Sequence, residues 1–191
     1  MKARQHTGRR RNEAARQAIL DSAVDQLQSN DTSAISVDSI AQGAGVSKQT
    51  IYRWWPSKGA VLLDALVSVA EVISPTPDTG DLEKDLRIFL TDTFKGAGRG
   101  RAVMLGVLRE ALADADAMTL LGEFSASRRA AVTQIFAQAR QRGEMIDKTA
   151  ETLAIDQLFG LLWYRQIFGN AAVDKRAATL LARAAVVQLR A

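Results

Sequence analysis

Between Ser47 and Lys58 the sequence SKQTIYRWWPSK sets three cations, Lys48, Arg53 and Lys58, among the hydrogen-bonding tips Gln49, Thr50 and Tyr52, with no acid between them. That set suits the grooves of a nucleic-acid duplex better than bond making. A glutamine pairs bidentately with adenine, a lysine reaches the N7/O6 edge of guanine, and a threonine hydroxyl and methyl meet the same edges. Tyr52, with its ring packed and its hydroxyl forward, suits a phosphate. Lys58, in the first turn of a following helix, suits one too, beside backbone N–H groups that already point at an anion. Bond-making chemistry has little to work with. There is no cysteine, and the single histidine, His6, lies in a polar tail. No Ser/His/Asp set, metal-ligand cluster or nucleotide loop is present, so neither an enzyme nor a cofactor is expected. The stretch Lys95-Gly96-Ala97-Gly98-Arg99-Gly100-Arg101 lacks a preceding strand and a Lys-Ser/Thr ending, and reads as a flexible interhelix loop. Asp114 and Asp116 read as caps of the next helix rather than as a metal site.

Short helices must hold these tips outward. Ser36 N-caps a helix from Val37 to Gly43 whose Val37, Ile40 and Ala41 share one side. Ala44-Gly45-Val46 is the turn, with Gly45 at the position that favours positive φ. Ser47 caps a second helix, Lys48 to Trp54, which Pro56 ends by disfavouring α geometry at Trp55. Val46, Ile51 and Trp55 point back into a small core. Ser57 caps the next helix. Before them, Ala15, Ala18, Ile19, Ser22, Ala23 and Leu27 form a helical stripe over Arg11 to Gln28, followed by a loop at Asn30 to Ser33 that Ile35 anchors. Residues 11–57 are therefore expected to form a three-helix helix-turn-helix unit behind a flexible basic tail, residues 1–10. Arg9, Arg10 and Arg11 read equally as an arm on phosphates or the minor groove and as a solvated terminus. Ser36, Ser47, Lys48, Gln49, Thr50, Tyr52, Arg53, Trp54 and Lys58 are the expected DNA-facing residues.

The run DSIAQGAGVSKQTIYRWWPSKGAVLLDAL resembles the signature of the tetracycline-repressor (TetR) family of bacterial regulators. The match lies in Ile40-Ala41, Ala44-Gly45-Val46-Ser47, Thr50-Ile51-Tyr52, and Ser57-Lys58 followed by Val61-Leu62-Leu63. The resemblance implies a homodimeric DNA-binding regulator, most often a repressor, with an all-helical ligand-binding body. It places the positions of Lys48, Gln49, Thr50, Tyr52, Trp54 and Lys58 on DNA. Trp54-Trp55 departs from the family pattern, where a smaller aromatic pair is usual, so Trp54 either stacks on sugar–phosphate or seals the helix.

Nearly half of the 191 residues are hydrophobic and only three are proline, and no alternating β-branched run is bounded by turns. The expected fold class is all-α. Residues 1–60 carry nine cations and five acids, while the rest of the chain carries sixteen of each. A neutral body with a basic N-terminal part fits nucleic-acid binding by that part alone. Neither a signal peptide nor a bilayer-spanning stretch is found, so a cytoplasmic location and no membrane partner are expected.

The remainder, residues 58–191, is expected to bind an effector and to dimerise. Its first helix, Lys58 to Ile73, carries more apolar residues than one small domain covers and reads as a link. Asp81 to Phe94 buries Leu82, Leu86, Phe89, Leu90 and Phe94. Ala102 to Ala113 buries Met104, Leu105, Leu108 and Leu112. Asp116 to Arg142 follows, with a break near Gly122 to Ser127 and a stop at Gly143. Thr149 to Phe168 is apolar on nearly every face and so needs cover all round. Asp174 to Arg190 has an alanine-rich face. Paired across a two-fold axis, these two helices would make a four-helix bundle. Leu153, Gln157, Gly160, Tyr164, Ala177, Leu181, Ala184 and Gln188 are the expected interface residues. The resemblance implies a small-molecule pocket among the middle helices, for which Met104, Leu108, Phe124, Phe136 and Trp163 are the candidate lining, each of them also readable as plain core. Two functions fit: a ligand-responsive regulator of a palindromic operator, or a constitutive architectural DNA binder that uses the body for assembly alone.

Overall fold

The computed structural model describes residues 5–28, 35–71, 76–144 and 147–190. Among these, every regular element is helical: α1 (Gln5–Gln28), α2 (Val37–Gly43), α3 (Lys48–Tyr52), α4 (Lys58–Glu71), α5 (Leu82–Arg99), α6 (Arg101–Ala113), α7 (Ala115–Gln141), α8 (Glu151–Phe168) and α9 (Lys175–Leu189). The chain divides into two compact units, residues 1–68 with 102–121 and residues 69–101 with 122–191. The loop expected at Asn30 to Ser33, Val72 and Ile73 of the expected link, and the side chains of Arg9 to Arg11 lie outside the described residues. Helix α1 begins at Gln5, within the stretch expected to be a flexible tail.

In the first unit, α1 buries Ile19, Leu20, Ala23 and Leu27 against Val37, Ile40 and Ala41 of α2, Ile51 of α3, and Trp55. A polar network joins α1 to α2. Ser22 Oγ donates to the Ile40 carbonyl (3.1 Å), Gln26 Nε2 donates to the Ser39 carbonyl (2.9 Å), and Ser39 Oγ donates to Gln26 Oε1 (2.7 Å). Ser36 and Ser39 close a reciprocal capping box, each hydroxyl accepting from the other's backbone N–H at 3.0 Å. The turn after α2 is a Schellman motif: Gly45 N–H donates to the Gln42 carbonyl (3.2 Å) and Val46 N–H to that of Ala41 (3.0 Å). Gly45 sits at φ 65°, and a Cβ there would meet nothing within 4 Å. Gly45→Ala therefore costs only the left-handed backbone penalty, about 1–2 kcal/mol, expected as a lower unfolding midpoint with unchanged far-UV circular dichroism.

Helix α6 and the start of α7 complete this unit. Buried residues of α6 recur at Val103, Met104, Val107 and Ala111. That register leaves Leu112, expected inside, 74% exposed. Two glycines sit in tight packing. A Cβ on Gly106 would run into the Leu27 side chain, and one on Gly59 would lie 2.6 Å from Ala117 Cβ.

The second unit is a core of α5, α8, α9 and part of α7. Leu82, Leu86, Phe89, Leu90 and Phe94 of α5 join Val132, Ile135, Phe136 and Ala139 of α7, Leu158 of α8, and Ala178, Ala182 and Leu189 of α9. Full burial of each large side chain is worth roughly 1.5–3 kcal/mol. Asp85 is a buried carboxylate that accepts from the Thr79 N–H and hydroxyl (2.7 Å each) and pairs with Arg142 Nη2 (3.1 Å). Three expectations are corrected here. The glycine-rich stretch is not a loop, for α5 runs to Arg99 and Gly100 N–H still donates to the Gly96 carbonyl (2.9 Å). Glycine in a helix costs about 1 kcal/mol; Gly96 is buried within the helix, and a Cβ on the C-cap Gly100 would lie 3.4 Å from Val69 Cγ1. Helix α7 runs unbroken through 122–127. And Ala177, Ala178 and Ala185 of the alanine-rich face are covered by their own unit's core.

Candidate nucleic-acid interface

Helix α3 is held from below and left bare above. Ile51, fully buried, is the residue of α3 that enters the core. Trp55 follows it inward and donates its indole N–H to Asp64 Oδ2 (3.0 Å). Arg16 of α1 pairs with the same carboxylate and lies 5.8 Å over the Trp55 ring. One carboxylate thus ties α1, the end of α3 and α4 together, fixing the angle at which α3 is presented.

Lys48, Gln49, Tyr52 and Arg53 are exposed and Thr50 is half-buried, so the expected groove-facing tips share one open face. Ser47 caps α3, its Oγ accepting from Thr50 N–H (3.2 Å) and lying 3.0 Å from Thr50 Oγ1. A capping hydroxyl spends a lone pair on the backbone and keeps a proton to donate, so Ser36 and Ser47 remain able to meet a phosphate oxygen. Arg53 lies 5.2 Å over the Trp54 ring, which stands edge-on to Trp55 at 5.7 Å. Trp54 is half-buried by these contacts. Helix α3 closes at Tyr52, two residues before the expected Trp54, with Arg53 as its C-cap. Ser57 Oγ accepts from Ala60 N–H (3.2 Å), placing Lys58 in the first turn of α4.

Both lysines of this face have carboxylate partners that the sequence reading missed. Lys48 Nζ donates to Asp38 Oδ2 at 2.9 Å, and Lys58 Nζ lies 2.8 Å from Glu110 Oε2 of α6. The hydrogen bond from Lys48 to Asp38, and then the charge of that carboxylate, hold the Lys48 ammonium above its ordinary pKa, so it stays charged through the neutral range.

In the second unit, Leu153, Gln157, Gly160 and Tyr164 of α8 fall on one exposed helical face, with Ala184 exposed on α9 and Leu181 and Gln188 half-buried there. Gln157, Gly160, Tyr164 and Leu181 line a single groove of about 630 Å³. Arg165, Asn170 and Ala171, absent from the sequence reading, line it too. Ala177 differs, being buried in the core of its own chain. Helix α8 is thus not covered on every face, and Tyr164, Ile167 and Phe168 are open. The candidate pocket residues are divided between the units, Met104 and Leu108 in the first and Phe124, Phe136 and Trp163 in the second. Met104 and Phe136 are buried core, whereas Leu108, Phe124 and Trp163 are half-buried. No helix among the described residues is long and apolar enough to cross a membrane.

Residues 19–65 match the family model described as bacterial regulatory proteins, tetR family, and residues 76–185 match that of the tetracyclin repressor-like C-terminal domain. The chain is 33% identical over 173 residues to the uncharacterized HTH-type transcriptional regulator YdeS of Bacillus subtilis, covering 87% of this chain and 85% of that protein. It is 28% identical over 164 residues to the HTH-type transcriptional regulator AqdR of Rhodococcus erythropolis, covering 83% and 78%. Among solved structures, the TetR family transcription regulator SCO0332 superposes with a TM-score of 0.72 at 30% identity, over 92% of this chain and 98% of that one.

Proposed function

Because this chain belongs to the TetR family of bacterial helix-turn-helix transcription regulators, we propose that it is a homodimeric repressor released from a palindromic operator by a small molecule. The carrying observation is the face of α3, where Lys48, Gln49 and Tyr52 are exposed above a buried Ile51. Residues 11–57 are the reader, and residues 58–191 are the effector-binding and dimerising part, with the helix that starts at Lys58 as the link. Its site of action is the cytoplasm, where bacterial DNA lies.

One recognition helix reads too few base pairs to select an operator in a genome. Two copies joined through the exposed α8 and α9 faces read two half-sites about 34–36 Å, or a multiple of that, apart. The grooved, apolar face around Tyr164 and Leu181 supports that pairing. An effector that favours a different spacing releases DNA, and a coupling of about 1–3 kcal/mol gives a 5–150-fold loss of affinity.

Selection from a random duplex library tests the reading. The expected product is a palindrome, bound with a log–log salt slope of about −5 to −7 for roughly six to eight neutralised phosphates. A pool with no enriched sequence would sink it. Gln49→Ala is expected to relax the choice at one base per half-site, with about 1–3 kcal/mol of discrimination lost there and binding to mixed-sequence duplex unchanged, as read by competition binding.

A further inference from the structure

Lys58 is already engaged. Its ammonium lies 2.8 Å from Glu110 Oε2, with the two side chains 34% and 20% exposed. Glu110 has little room to withdraw, because its own Cγ lies 3.5 Å from where a Cβ on Gly59 would stand and its neighbourhood is closely packed. Gly59, the neighbour of Lys58, lies so close to Ala117 that a Cβ would come within 2.6 Å of it, and Gly106, one helical turn before Glu110, lies against Leu27. A phosphate arriving at Lys58 meets a cation whose charge is offset, and a carboxylate that repels it.

We infer that Glu110 is an internal stand-in for phosphate that weakens the sequence-independent part of DNA binding at Lys58. This rests on the reading of Lys58 as a phosphate contact. Phosphate contacts position the protein but carry no sequence information, so weakening one lowers binding to every duplex alike and leaves base contacts to decide. Lys48 and Asp38 repeat the pattern at 2.9 Å, but their side chains are 47% and 70% exposed. Water and salt screen that pair more strongly, so the effect is assigned to Glu110.

Glu110→Gln keeps the shape and removes the charge. With the full chain and a mixed-sequence duplex long enough for two half-sites, it is expected to bind about two- to fivefold tighter at low salt, the size of one part-exposed ion pair. The salt slope should steepen by about 1, since one more cation is free to displace counterions. Both changes should vanish in the Lys58→Ala background, and thermal unfolding of each variant checks that the fold is kept. Unchanged or weaker binding by Glu110→Gln, while Lys58→Ala weakens binding, overturns the inference and spares the phosphate reading. Tighter binding that persists without Lys58 also overturns it, because the carboxylate then acts as a general charge. If Lys58→Ala binds as the parent does, the phosphate reading fails and the inference with it.

Discussion

Phe136→Ala is expected to lower unfolding stability by about 3–5 kcal/mol, the largest loss of any single truncation considered. The side chain is 0% exposed and belongs to the core that α7 shares with α5, α8 and α9. Truncation removes its transfer free energy and leaves a cavity that helices locked by neighbouring large side chains cannot close. At about 2–4 °C per kcal/mol for a chain of this size, the thermal midpoint should fall by roughly 6–20 °C. Calorimetry or a circular-dichroism melt reads it directly. A residue that only lined an effector pocket would give a different result, with little loss of stability and a changed ligand response. A shift under about 1 kcal/mol would return Phe136 to that role.

Tyr164→Asp is expected to break the proposed dimer while leaving the single chain folded. Tyr164 is 56% exposed, its ring tilted against Phe168 at 5.0 Å. In one copy the substitution therefore disturbs little. In the proposed dimer the same position lies in a closed apolar seam, where an unpaired carboxylate costs about 3–5 kcal/mol, and it does so in each copy. Self-association should weaken more than 100-fold, with operator binding falling in parallel. Sedimentation velocity over a concentration series measures the first and titration of the selected duplex the second. A dimer that persists unchanged would move the interface off this face.

The reading unit was legible almost residue by residue because its signals are local. Ser36, Ser47 and Ser57 announce helix starts by a hydroxyl three residues before the N–H it accepts from, and Gly45 marks a left-handed turn. Contacts between distant residues leave no periodic trace. Asp85 with Arg142, or Lys58 with Glu110, cannot be found by counting helical positions. The alanine face of α9 shows the complementary failure. Small residues at helical spacing say that another helix comes close, but not whose, and Ala178 and Ala185 turned out to face their own chain's core. The glycine-rich stretch reads as a loop on local propensity alone, yet α5 stays helical through Arg99. Leu112 lies one step of register outside the buried stripe of α6.

The sharing of a core between α5 and α9 bears on how the molecule is made. The apolar face of α5, with Phe89 and Phe94, stays incompletely covered until Lys175–Leu189 has emerged from the ribosome. At ordinary synthesis rates that delay is roughly 5–20 s, ample for a holding chaperone to grip the nascent chain. The unit carrying α3 is drawn from residues 1–68 and 102–121, so all of its segments have been synthesised well before the last helix of the other unit.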